Sequence, residues 1–61
     1  MFRFNLGQEV KLQLSEEFGY VIGRAEYASG ENNYWVRYLN STGSMVENWY
    51  FESALVEKYP H

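Results

Sequence analysis

The sequence predicts an all-β fold in which five short strands form one small barrel. Apolar and polar side chains alternate in several short stretches, which is the pattern of a strand with one buried face. β-branched and aromatic residues dominate these stretches, as is typical of strands. Gly, Asn and Ser clusters separate them at short intervals. With 61 residues the chain has room for a single domain, 1–61.

The first part of the chain predicts a packed tail and one clear strand. Apolar side chains alternate before the first turn, at Phe2, Phe4 and Leu6. They indicate either a short leading strand or a tail that packs on the barrel. Residues 9–14 alternate regularly, with Val10, Leu12 and Leu14 facing inward. A polar loop follows, and we expect its Phe18 to fold over one end of the core.

Residues 20–27 predict the second strand, and residues 33–39 predict the central one. Gly23 lies within the second strand and has no side chain to pack, which indicates a bulge or a bend. Turn residues flank the central strand on both sides, so we expect it to pair with two neighbours. Its alternation places Tyr34, Val36 and Tyr38 on the core face.

The C-terminal part predicts a strand at 45–50, one helical turn at 51–55 and a closing strand at 56–59. Five strands with a helical turn before the last one describe an SH3-like barrel. An OB-like barrel is the alternative, but it usually needs a longer helix between its third and fourth strands. The predicted core consists of Val10, Leu12, Leu14, Val21, Val36, Tyr38 and Leu55.

Composition disfavours several classes of function. The net charge is −3, and the five Lys and Arg residues are scattered along the chain, whereas nucleic-acid binding needs clustered cations. The chain has no Cys, and its single His is the last residue, His61, so we expect no disulfide and no metal site. It has no N-terminal apolar run and no window of membrane-spanning length. We therefore expect a cytoplasmic protein without membrane contact.

Several positions together resemble a known enzyme family. They are Phe4, Gly7 and Val10, then Gly19, Val21, Ile22 and Gly23, then Tyr34 and Val36, then Tyr50, Ala54 and Leu55. This frame resembles the plasmid-borne type II dihydrofolate reductases, which are SH3-like barrels. In that family four protomers surround one pore that binds NADPH and dihydrofolate. The resemblance implies a homotetrameric, NADPH-dependent reductase.

The pore motif of that family is Val-Gln-Ile-Tyr, and it falls on residues 47–50, which read Glu-Asn-Trp-Tyr. The resemblance therefore implies Asn48, Trp49 and Tyr50 as catalytic residues. Tyr50 matches the motif, whereas the other three positions differ, and the family's first-strand Lys falls on Leu12. A pore that repeats Glu47 and lacks this Lys repels an anionic cofactor. We therefore rank the reductase second, and under the first-ranked function we expect no cofactor.

The first-ranked hypothesis is a protein-binding or self-associating module. Trp35 and Arg37 share the outer face of the central strand, and Glu47 and Trp49 share one face of the next. Trp and Arg are enriched at binding hot spots, so these four are the candidate partner-binding residues. The sequence is equally consistent with an alternative in which each indole only covers the open face of its own sheet. By analogy, small acidic barrels resemble accessory proteins of phages and other mobile elements.

Other aromatic residues support weaker alternatives. A late-strand Tyr such as Tyr50 more often caps a barrel than binds a ligand. A Tudor-like reader of modified peptides or nucleic acid would need an aromatic cage, for which Tyr34, Tyr38 and Trp49 are the candidates. Tyr34 and Tyr38, however, belong to the predicted core face. We also expect Arg24 and Arg37 to form cross-strand ion pairs with Glu residues.

Overall fold

A computed structural model describes residues 2–57, and these residues confirm the all-β prediction. Its strands are β1 (Glu9–Leu12), β2 (Phe18–Ala25), β3 (Asn33–Leu39), β4 (Met45–Phe51) and β5 (Leu55–Glu57). A single 3-10 turn, Glu52–Ala54, lies between β4 and β5. The five strands form one antiparallel sheet in the order β4-β3-β2-β1-β5. In this part of the chain no helix is long and apolar enough to cross a lipid bilayer.

The central strand β3 has the bounds that the sequence predicts, and it pairs with β2 on one side and β4 on the other. The predicted irregularity at Gly23 is also confirmed. Val21 pairs with Val36 and Gly23 pairs with Trp35, so β2 carries one extra residue between these two pairs. A Cβ atom at position 23 would lie 3.1 Å from the Cβ of Trp35, so a Gly suits the close approach of the two strands.

The first strand is shorter than predicted, and the inward placement of Leu14 is wrong. β1 ends at Leu12, where the backbone N–H of Glu16 donates to the Leu12 carbonyl over 2.8 Å. Glu16 itself has a φ of 62°, the left-handed conformation of a tight turn. This turn takes Leu14 out of the sheet and leaves it 98% exposed. Phe18 is likewise half-exposed and does not cover the core.

The core is a single cluster of apolar side chains on one side of the sheet. Its buried members are Phe4, Val10, Leu12, Val21, Tyr34, Val36 and Leu55. Five of the seven predicted core residues are therefore correct, and Tyr38 packs against the cluster while partly exposed. Phe4 is buried although residues 2–8 contain no strand, so the prediction of a packed tail is the correct one.

Hydrogen bonds join the tail to β2 and the 3-10 turn to the loop between β2 and β3. The Gly7 N–H donates to the carbonyl of Val21 over 2.7 Å. At the 3-10 turn, the Ser53 N–H donates to a carboxylate oxygen of Glu31 over 2.8 Å. β5 then begins at Leu55, one residue earlier than predicted, and residues 58–59 of the predicted closing strand lie outside the described residues.

Candidate protein-binding surface

The register between β3 and β4 brings the four predicted partner-binding residues together. Trp35 pairs with Trp49, and Arg37 pairs with Glu47, at neighbouring positions of the same face. Directly opposed residues of antiparallel strands point to the same side of a sheet. Because Val36 lies on the buried side, these four side chains lie on the side away from the core.

Direct contacts link the four side chains into one cluster. The two indole rings lie 5.3 Å apart between centroids, with their planes inclined by 58°. The Arg37 Nε–H donates to Oε2 of Glu47 over 2.7 Å, and the Trp35 Nε1–H donates to Oε1 over 3.2 Å. Both carboxylate oxygens of Glu47 are thus occupied, which confirms the expected cross-strand pairing of Arg37 with a Glu.

These hydrogen bonds keep Glu47 ionised. The bond from Arg37, and after it the bond from Trp35, lowers the pKa of the Glu47 carboxyl below its ordinary value. A carboxyl of this kind carries its charge at neutral pH, so it is poorly suited to act as a general acid. Its chemistry is that of a fixed anion that orients the Arg37 guanidinium and the Trp35 indole.

The two indoles differ in exposure because their strands differ in position. Trp35 belongs to the central strand, where Gly23 lies on one side and Trp49 on the other, and it is half-buried. Trp49 belongs to β4, which is at one end of the sheet order, and it is 49% exposed. Both lie outside the buried core cluster, and Trp49 is exposed as expected, whereas Trp35 is only partly exposed.

An apolar surface that the sequence pattern does not predict surrounds this cluster. Seven large apolar side chains on β2, β3 and β4 are each between 39% and 60% exposed: Phe18, Tyr20, Ile22, Leu39, Met45, Trp49 and Phe51. Tyr20 pairs with Arg37, and Met45 pairs with Leu39, so they share the side of the sheet that carries the cluster. We call this side of β2, β3 and β4 the outer face. The signal was present in β2, where the large apolar side chains Phe18, Tyr20 and Ile22 alternate with smaller residues.

The four positions on which the reductase motif falls are divided between the two sides of β4. Glu47 and Trp49 belong to the outer face, whereas Asn48 and Tyr50 pair with the buried-side residues Val36 and Tyr34. Tyr50 packs against the core, and its hydroxyl donates to the hydroxyl of Tyr38 over 3.0 Å. Burial, and then this hydrogen bond, raises the pKa of Tyr50 to about 12. At neutral pH the hydroxyl is therefore a neutral group next to a cleft of 340 Å³.

The other candidate sites in the described part of the chain lack the arrangement of side chains that binding or catalysis needs. The candidate cage residues do not converge, because Trp49 lies on the outer face and Tyr34 and Tyr38 lie on the core side. A polar cleft of 490 Å³ contains Glu26, Glu31 and Glu52 in its wall. Within residues 2–57 there is no group of three or more His, Cys, Asp or Glu side chains that could hold a metal ion.

Comparisons with protein-family models, with curated proteins and with solved structures find no match to this chain. Among the described residues, the outer face has the chemistry that best indicates a function. That face carries the exposed Trp49 and further exposed apolar side chains, beside the half-buried Trp35 and one ion pair.

Proposed function

We propose that this chain is a protein-binding module whose contact surface is the outer face, with Trp35, Arg37, Glu47 and Trp49 at its centre. The observation that carries the proposal is the set of seven half-exposed apolar side chains on three adjacent strands. Large contiguous apolar patches on a protein surface typically mark interaction sites. Trp and Arg, which lie at the centre of this face, are also enriched at interface hot spots.

The energetics favour covering this face. Trp49 exposes about half of its surface, which corresponds to roughly 100 Å² for a side chain of its size. At about 25 cal/mol per Å², removing that area from water contributes about 2–3 kcal/mol. The six other exposed apolar side chains of the face add to this gain, so a partner that covers them has a substantial driving force.

The core is complete without the indoles, which argues that they serve a contact and not the fold. The buried cluster contains neither Trp35 nor Trp49, and the two rings contact each other across β3 and β4. We therefore expect the double variant Trp35→Ser/Trp49→Ser to retain the sheet and to lose association with copies of itself or with another protein. Circular dichroism and thermal unfolding report on the fold, and sedimentation velocity reports on association.

A control variant removes similar apolar surface elsewhere. Leu6→Ser/Leu14→Ser replaces two exposed side chains in the tail and in the β1–β2 turn, away from the outer face. This control is expected to keep both the fold and the association. Unfolding of the indole double variant would assign the two rings to the core and overturn the proposed function.

We also infer that the sheet curves into an SH3-like barrel. The support is that β1 pairs with both β2 and β5, that β2 is bulged at its middle, and that a 3-10 turn precedes the last strand. Nuclear Overhauser contacts in solution test this inference. Contacts between the two ends of the sheet are expected, and a flat, open sheet would contradict it.

A type II-like, NADPH-dependent homotetrameric reductase is the second candidate. The observation in its favour is the Tyr50 hydroxyl beside the 340 Å³ cleft, at the one position that matches the pore motif. The ionised Glu47 counts against it, because like charges repel an anionic cofactor. A steady-state absorbance assay of NADPH oxidation with dihydrofolate tests it. Turnover that is lost in Tyr50→Phe or Asn48→Ala would reverse the ranking.

A further inference from the structure

We infer that the partner of the outer face is a second copy of this chain, docked face to face about a two-fold axis beside the Arg37–Glu47 pair. The inference rests on the proposed function, because it names the occupant of the same surface. Three observations support it. They are the charge pattern of the face, the area of the face, and a backbone donor of the edge strand β4 that is already satisfied within the chain.

The charge pattern of the outer face is self-complementary. Within β2, β3 and β4 this side carries one cation, Arg37, and one anion, Glu47, at directly opposed positions. Apolar pairs flank them on both sides, with Trp35 opposite Trp49 and with Leu39 opposite Met45. In a two-fold interface a patch meets its own copy, so Arg37 of each subunit approaches Glu47 of the partner subunit. Because Arg37 and Glu47 balance each other within one chain, a partner with a single sign of charge gains no net attraction from this pair.

The area of the face is close to what a stable dimer needs. Seven side chains that are about half exposed, together with part of Trp35, present roughly 600–800 Å² of apolar surface. Standard stable interfaces bury about 800 Å² on each partner. The outer face therefore approaches the size of a complete interface, and Trp and Arg at its centre are residue types enriched at binding hot spots.

The edge of β4 offers a poorer contact than its face. β4 is at one end of the sheet order, so a second chain could in principle extend the sheet there. The backbone N–H of Trp49, at the middle of this strand, donates to Oδ1 of Asn48 over 2.8 Å. One donor of the strand is thus satisfied within the chain. Face-to-face packing needs no backbone donors, because two sheets stack about 10 Å apart through their side chains.

Charge-reversal variants test the two-fold arrangement directly. Arg37→Glu places four carboxylates at the centre of the dimer, and Glu47→Arg places four guanidinium groups there. Each variant alone is expected to raise the dimer dissociation constant by at least about tenfold, since like charges meet in the interface. An equimolar mixture of the two variants is expected to form a heterodimer with wild-type-like affinity. Sedimentation velocity at micromolar to millimolar concentration measures each case.

The control Leu14→Glu adds a charge outside the outer face and is expected to leave the dimer intact. A wild-type protein that stays monomeric at millimolar concentration overturns the inference, and so does a mixture that fails to associate. Intermolecular nuclear Overhauser contacts between labelled and unlabelled wild-type copies give a second readout if a variant does not fold. Contacts from Met45, Trp49 and Phe51 are expected, and a dimer without any of them overturns the inference.

The two proposals fail in different ways. A monomeric wild type whose Trp35→Ser/Trp49→Ser variant folds normally removes only the second copy as the occupant. Unfolding of that double variant removes the proposed function itself.

Discussion

The buried hydroxyl of Tyr34 donates a hydrogen bond to Oε2 of Glu52, which joins the central strand to the 3-10 turn. The same hydroxyl oxygen accepts from the backbone N–H of Arg3 over 3.0 Å and of Phe4 over 3.3 Å. A single side chain thus connects three parts of the fold that are distant in sequence. Because its ring is also in the core cluster, Tyr34 couples apolar packing to a polar network.

Removing this hydroxyl is expected to destabilise the protein. Tyr34→Phe keeps the ring in the core but leaves the Phe4 N–H without its acceptor and removes one of the donors to the Glu52 carboxylate, which still accepts from Arg3 and Asn32. Such a loss typically costs about 1–3 kcal/mol of unfolding free energy. Urea denaturation followed by circular dichroism measures the change. Tyr27→Phe is the matched control, because Tyr27 is half-exposed, and its effect is expected to stay within about 0.5 kcal/mol.

The hydrogen bond between Tyr34 and Glu52 also predicts that the stability of the fold depends on pH in the acidic range. The hydrogen bond from Tyr34 is the main cause that lowers the pKa of Glu52 below the ordinary value of 4.5. A carboxyl with a lowered native pKa stabilises the fold above its unfolded pKa, and this contribution is lost as the pH falls through the native pKa. Stability is therefore expected to decrease below pH 4.5. Tyr34→Phe is expected to make that decrease shallower, and an unchanged slope would contradict the role given to this bond.

The core assignment predicts a clear contrast between two aliphatic side chains. Val36 is fully buried and Leu14 is 98% exposed. Val36→Ala is expected to cost about 1–3 kcal/mol, as other large-to-small core substitutions do. Leu14→Ala removes more carbon atoms but is expected to change the unfolding free energy by less than about 0.5 kcal/mol. Equal effects in urea denaturation would show that the first strand extends to residue 14.

The contrast between these two residues also shows where sequence reasoning succeeds. Alternation predicts β3 correctly because both of its faces follow the strand period from the first residue to the last. The same alternation continues through Leu14, although the chain has already turned at Leu12. That turn depends on Glu16 in a left-handed conformation, and a Glu residue gives no sequence signal for it.

The sequence likewise predicts which residues belong to the candidate site, but not how they pair. The phases of two separate strands identify Trp35, Arg37, Glu47 and Trp49, but only the register shows that they are opposed in pairs. Register depends on the geometry of the connecting turn, which residue types alone do not determine. The outer face also needs β2 beside β3, so its full extent requires the strand order.

Two glycines of β2 are expected to respond differently to a methyl group. A Cβ at Gly19 would lie 2.6 Å from the backbone oxygen of Arg37 and 2.8 Å from the Cβ of Tyr38. Backbone atoms of the central strand cannot move aside without distorting the sheet, so Gly19→Ala is expected to cost about 1–3 kcal/mol. At Gly23 the nearest atom is the Cβ of Trp35 at 3.1 Å, which needs a shift of only a few tenths of an ångström.

Gly23→Ala is therefore the matched comparison for Gly19→Ala, since both substitutions add one methyl group to the same strand. Thermal unfolding is expected to place the Gly23→Ala midpoint between those of wild type and Gly19→Ala. The opposite order would mean that the β2 bulge is the tighter of the two contacts.

The hydroxyl pair of Tyr50 and Tyr38 predicts a loss of stability at alkaline pH. Burial, and then the hydrogen bond to Tyr38, raises the pKa of Tyr50 from 10.0 to about 12. The native state therefore holds this proton more tightly than the unfolded state does. This stabilisation is fully present below pH 10 and is lost as the pH rises through about 12. Burial also raises the pKa of Tyr34, which adds to the slope in the same direction.

Tyr50→Phe keeps the ring that packs against the core but removes the titrating group, so a shallower alkaline slope is expected. Urea denaturation at several pH values between about 9 and about 12 measures that slope, and ultraviolet absorbance follows tyrosinate formation directly. Tyr20→Phe removes a hydroxyl from the half-exposed outer face and is the control. If the two variants flatten the slope equally, the Tyr50 hydroxyl is open to solvent and the Tyr38–Tyr50 hydrogen bond is absent in solution.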